Sequence, residues 1–84
     1  MGGTDKGATP RQRALGDRVR GFRHRRGMSQ EQLALKASIN RTYIASLEAG
    51  QRNPSLDLIA RMALALEVDA ADLVRGLQAE DGRK

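Results

Sequence analysis

The chain has no cysteine, no tryptophan, one histidine and only two aromatic residues, Phe22 and Tyr43, in 84 positions. Without cysteine, neither a disulfide framework nor a thiolate metal site can form. His24 alone cannot supply a multi-histidine site. No metal and no cofactor is expected. Two aromatics do not make the stacking platform on which single-strand and RNA modules hold bases. No apolar run approaches the roughly 20 residues of a membrane span. Met1 to Pro10 is polar and glycine-rich and lacks the apolar core of a signal peptide. There is no phosphate-binding glycine loop and no cluster of acids or nucleophiles with catalytic spacing. The expectation is a cytoplasmic protein that is not an enzyme.

What is present is charge, unevenly placed. Residues 1–26 carry eight basic side chains against Asp5 and Asp17, while the remaining 58 carry seven basic against eight acidic. A polyanionic partner would account for this excess. A solvated helix face or an unstructured basic tail would account for it equally well.

Helical punctuation runs through the rest. Met1 to Ala8 shows no apolar periodicity and reads as a disordered basic arm, taken here as residues 1–9. Thr9-Pro10 is a cap followed by a first-turn proline. Leu15, Val19 and Phe22 then form one stripe, and Gly27 ends a helix that begins at Pro10. Gly16 and Gly21 inside this helix have no account in the sequence. Ser29-Gln30-Glu31-Gln32 is a capping box, opening a second helix with Leu33, Ala34 and Ala37 inward. Asn40 caps a third helix that buries Ile44 and Leu47 and closes at Gly50. Ser55 caps a fourth, with Leu56, Ile59, Met62, Ala63 and Leu66 at helical spacing. Asp69 caps a short fifth, with Asp72 as its dipole partner and Leu73, Val74 and Leu77 as its apolar residues. Residues 79–84 read as a frayed tail. The fold class is all-α, with one domain over residues 10–78 and no room for a sheet.

The informative segment is MSQEQLALKASINRTYIASLEAG, Met28 to Gly50. Two short helices joined by a tight turn cross at a large angle, and the second can lie in the major groove of DNA. Small Ala34 and Ala37 let the two backbones approach. Burying Ile44 and Leu47 leaves Arg41, Thr42, Tyr43 and Ser46 on the outer surface of the third helix. Arginine reads guanine bidentately, and hydroxyls with the threonine methyl suit several bases.

These residues resemble the helix-turn-helix family of lambdoid phage repressors and Cro proteins, the Xre family. INRTYIASLEAGQRN is especially similar to the controller proteins of restriction-modification systems. The resemblance covers about Leu15 to Leu77 and implies a five-helix, lambda-repressor-like domain that regulates transcription from a specific double-stranded site. It implies base contacts from Arg41, Thr42, Tyr43 and Ser46, and backbone contacts from Gln30, Gln51, Arg52 and Asn53. It implies a structural salt bridge between Arg23 and Glu48. Ser38 and Glu67 stand where the family frequently has glycine; Ser38 is expected to accept an uncommon backbone conformation at some cost, and both are expected to lower stability.

One reading helix buries too little surface for tight specific binding, so a homodimer on an inverted repeat is expected. The fifth helix is too short to bury both of its apolar seams in one domain. Leu73 is assigned to the core, and Val74 with Leu77 to the partner protomer. Lys6, Arg11 and Arg13 are expected to reach DNA phosphates or the minor groove beside the site. A second role within the same fold is the antitoxin of a toxin–antitoxin pair, with a toxin protein as partner. RNA polymerase is a further partner open to a transcription regulator.

Overall fold

Helix starts in this protein are set by side-chain oxygens that accept from otherwise unpaired amides. The computed structural model describes residues 8–80. Thr9 accepts from Gln12 N and opens α1 (Pro10–Arg25). Ser29 and Gln32 form a reciprocal capping box at α2 (Gln30–Ala37). Asn40 opens α3 (Arg41–Glu48), Ser55 opens α4 (Leu56–Leu66), and Asp69 with Asp72 opens α5 (Ala70–Val74). A single 3-10 turn, Leu77–Ala79, follows. Among the described residues there is no strand. The arm expected over residues 1–9 lies outside the described residues up to position 7, as do 81–84 of the expected tail.

The first four helices stop in the same way. In each, an amide two or three residues past the end reaches back five positions. Met28 N donates to Arg23 O (3.1 Å), Ile39 N to Ala34 O (2.9 Å), Gln51 N to Ser46 O (2.9 Å) and Val68 N to Ala63 O (3.0 Å). This stop requires a left-handed residue just before the donor. Gly27 and Gly50 supply it without strain, at φ of 66° and 82°. Ser38 and Glu67 supply it at φ of 56° and 59°, each against a cost of about 1–2 kcal/mol. The uncommon conformation expected at Ser38 is what the chain adopts, and Glu67 adopts it as well.

The core gathers Val19 from α1, Leu33 and Ala37 from α2, Ile44 and Leu47 from α3, Met62 and Leu66 from α4, and Leu73 from α5. Gly16 has a structural reason invisible in the sequence. A Cβ there would lie 2.6 Å from the Leu47 carbonyl oxygen and 2.7 Å from that of Glu48. Only glycine lets α1 lie directly on the end of α3. Gly21 faces open space, and nothing in the structure explains it. Leu56 departs from its expected apolar stripe: it is 80% exposed at the first position of α4.

Leu77 is a correction. Paired with Val74, it was to face a partner protomer, yet it is 8% exposed and belongs to the protomer's own core. The reason is backbone geometry. α5 ends at Val74, and Gly76 takes φ 74°. The helical register that pairs Val74 with Leu77 is therefore broken, and the 3-10 turn packs Leu77 toward α1. Leu73 is fully buried as expected, while Val74 remains 39% exposed.

Candidate nucleic-acid interface

The second helix of the α2–turn–α3 unit is fixed on one side and open on the other. Ile44 and Leu47 are buried against α1 and α2. The Asn40 carboxamide oxygen accepts from Thr42 N at 2.7 Å and from Tyr43 N at 3.4 Å, which holds the first turn. Arg41 and Thr42 project from that turn and are exposed. Tyr43 and Ser46 are half-buried along the same side. Gln51, Arg52 and Asn53, just past the helix, are exposed.

Three of these side chains form a cluster that sequence reasoning missed. The Ser46 hydroxyl donates to the Tyr43 carbonyl at 3.0 Å. It accepts from Arg52 Nε at 2.9 Å. The Arg52 guanidinium lies 5.1 Å from the centre of the Tyr43 ring, within cation–π range. Because Arg52 belongs to a loop, no helical periodicity could have linked it to Ser46.

The expected brace is present and is larger than expected. Arg23 donates to Glu48 through two nitrogens, Nε to Oε2 at 2.7 Å and Nη2 to Oε1 at 2.9 Å. Both residues are buried, at 8% and 4% exposure. The third guanidinium nitrogen of Arg23 donates to the Met28 carbonyl at 2.8 Å. Gln30 Nε2 also donates to Glu48, at 3.1 Å. Burial pushes the Glu48 carboxyl up, but it does not win. Hydrogen bonds from Arg23 and Gln30, with the charges of Arg23 and Arg20, hold it below the usual carboxylate range. The Arg23 guanidinium is raised by its hydrogen bond to Glu48, against the opposing effect of burial. One carboxylate thus joins α1, the start of α2 and the end of α3. Gln30, expected to face a phosphate, begins α2 with its amide nitrogen already tied to this carboxylate.

The basic excess of residues 1–26 has a destination that neither sequence reading named. Three of its arginines, Arg18, Arg20 and Arg26, bond to carbonyls at the ends of other helices. Arg20 donates to the last carbonyl of α3, Glu48 O, at 2.9 Å. Arg26 donates to Leu66 O at the end of α4 at 2.9 Å and to Glu67 O at 3.1 Å. Arg18 donates to Leu73 O near the end of α5 at 3.2 Å. Arg11 donates to Leu77 O at 2.9 Å. From elsewhere in the chain, Arg61 does the same for Ser38 O past α2, at 3.0 Å. Helix C-termini expose unpaired carbonyls and carry partial negative charge, so arginine suits them twice over. Arg13 donates to Ala8 O. Arg11 and Arg13, expected at DNA phosphates, both bond within the protein; Lys6 lies outside the described residues.

This arrangement has counterparts. Residues 19–73 match the family profile described as helix-turn-helix. The chain is 45% identical over 61 residues to the control protein C.BamHI of Bacillus amyloliquefaciens, covering 71% of this chain and 75% of that protein. The crystal structure of the restriction-modification controller protein C.AhdI from Aeromonas hydrophila superimposes with a TM-score of 0.72 at 39% identity, over 74% of this chain and 94% of that one. SinR, a master regulator for biofilm formation crystallised in complex with DNA, gives a TM-score of 0.68 at 32% identity, over 70% and 95%. These likenesses lend no support to the antitoxin alternative, nor to a toxin or RNA polymerase as partner. The chain belongs to the Xre-type helix-turn-helix family of transcriptional regulators.

Proposed function

We propose that the protein binds a specific inverted repeat in double-stranded DNA as a homodimer and regulates transcription from it in the cytoplasm. The observation that carries this reading is the first turn of α3. It is capped by Asn40, anchored by buried Ile44 and Leu47, and presents Arg41 and Thr42 to solvent. That is the geometry a reading helix needs to reach base edges. Arg41, Thr42 and the Tyr43 hydroxyl take the base edges. Gln30, Gln51, Arg52 and Asn53 take the backbone on either side.

SinR is a relative captured on DNA, and C.BamHI and C.AhdI are control proteins. No helix among the described residues is long and apolar enough to cross a membrane, in keeping with a site of action on DNA. For the dimer, Val74 is an exposed large apolar residue on α5. It lines one groove with Pro54 and Ile59, and Arg52 and Asn53 line that groove as well, so a partner covering Val74 would lie beside the residues given to the DNA backbone.

Selection from a pool of random duplexes tests the reading. The expected product is a symmetric motif with half-sites about 10 base pairs apart, one helical turn. Specific affinity is expected on the order of 10⁻⁸ M or tighter at physiological salt. Enrichment of no sequence above background would overturn it.

A further inference from the structure

We infer that Ser46 and Tyr43 form a cradle that presents Arg52 to a single DNA phosphate, so that Ser46 is a positioning residue and not a reader of bases. This rests on the proposal that the α3 face binds DNA and assigns the work within that face.

The hydroxyl of Ser46 has one proton, and that proton is directed at the Tyr43 carbonyl, 3.0 Å away. Two acceptor lone pairs remain on the oxygen, and Arg52 Nε takes one of them at 2.9 Å. A hydroxyl bonded in this way has no proton left to donate to a base edge. Ser46 is also half-buried, whereas Arg41 and Thr42 on the same helix are exposed.

The consequence falls on Arg52. A loop arginine in solvent samples many rotamers, and ordering it on binding carries an entropic cost. Here Nε is held by Ser46, and the guanidinium plane lies 5.1 Å from the Tyr43 ring centre. Among the described residues neither terminal nitrogen of Arg52 has a hydrogen-bond partner. The two form the fork that matches two phosphate oxygens. Clamped by its inner end, the side chain offers its outer end in a fixed direction, immediately after the Gln51 amide that completes the α3 stop. The contact carries charge and geometry but no sequence information, as phosphate contacts do.

The test is a double-mutant cycle with the full-length protein and the duplex that the wild type selects. Ser46→Ala is expected to weaken binding roughly 3- to 10-fold, by about the same factor on the selected and on an unrelated duplex. In the Arg52→Ala background, Ser46→Ala is expected to have no further effect. Arg52→Ala should lower the salt slope by roughly 0.9, whereas Ser46→Ala, which removes no charge, should leave it unchanged. Ser46→Thr keeps the hydroxyl and should restore the wild-type affinity. Thermal melting of each variant shows whether it folds. Tyr43→Phe keeps the ring and supplies a second, independent variant that should preserve the Arg52 salt slope. A Ser46→Ala loss that persists without Arg52, or one confined to a single base position, overturns the positioning role. Relaxed preference at one base on Arg52→Ala overturns the phosphate assignment. A wild type that selects no duplex at all overturns the DNA-binding proposal and this inference with it; a wild type that binds while Ser46→Ala matches it overturns this inference alone.

Discussion

The arginines of α1 and its stop differ from those of α3 and the following loop, although in sequence both sets look like surface cations. Arg11, Arg18, Arg20, Arg23 and Arg26 turn inward, onto carbonyls and one buried carboxylate. Arg41 is exposed, and Arg52 is held at its inner end with its outer nitrogens unpartnered among the described residues. The comparison teaches that a local basic excess is not in itself a nucleic-acid footprint. In a domain of short helices there are many C-terminal carbonyls for its size, and a long helix crossing several of them can staple them with arginine. The charge that serves DNA in this account lies elsewhere.

Breaking the inward set should cost the most. Removing one partner of a buried ion pair costs about 3–5 kcal/mol, because the other charge stays buried without compensation. Glu48→Gln is therefore expected to lower the melting temperature by more than about 10 °C. Glu31→Gln, at an exposed position of α2, should be nearly silent. Equal effects by circular dichroism would place the Arg23–Glu48 pair among weak surface contacts.

A second contrast lies within five residues of chain. Val74→Arg should leave a folded helical protein that sediments as a monomer and binds DNA weakly, since an unpaired charge opposes burial at an interface. Leu77→Asp should instead unfold the domain, because Leu77 is in the core. Were Val74→Arg to remain dimeric, the interface would lie on another face.

The pH dependence follows the same pair. Glu48 is held below the ordinary carboxylate range in the folded state. Its contribution is complete above the unfolded carboxylate value and is lost as the pH falls through the lower folded one. Stability should decline on acidification, and Glu48→Gln should flatten that limb. An unchanged acid limb in the variant would assign the decline to other carboxylates.

Much of this was legible from sequence, for a physical reason. Caps are local chemistry, so Thr9, Ser29, Asn40, Ser55 and Asp69 could be placed without knowing the fold, whereas Ser38 and Glu67 were singled out through the family resemblance. The Arg23–Glu48 pair was reached through resemblance, not spacing. What stayed hidden depends on tertiary approach. Gly16 matters only because α1 rests on the carbonyls of Leu47 and Glu48. The staples of Arg18 and Arg26 need the ends of α5 and α4 to lie beside α1. Leu77 was misassigned because helical spacing was carried through Gly76, where the backbone turns. The Ser46–Arg52 bond crosses from helix to loop, so no helical periodicity could show it.

The smallest effect sharpens the comparison from the other side. Arg18→Met keeps the apolar stem and removes the cap on α5, so it should cost about 0.3–1 kcal/mol of stability. The salt slope of DNA binding should not change. A drop of roughly 0.9 in that slope would show that Arg18 reaches a phosphate after all.

The most direct test of the central claim is to repeat the random-duplex selection with Arg41→Ala. The account expects the same inverted repeat and the same thermal stability, with preference erased at one base position in each half-site and a loss of about 1–3 kcal/mol there. A uniform loss across all sequences would make Arg41 a phosphate contact, and an unchanged motif would remove α3 from the reading of DNA.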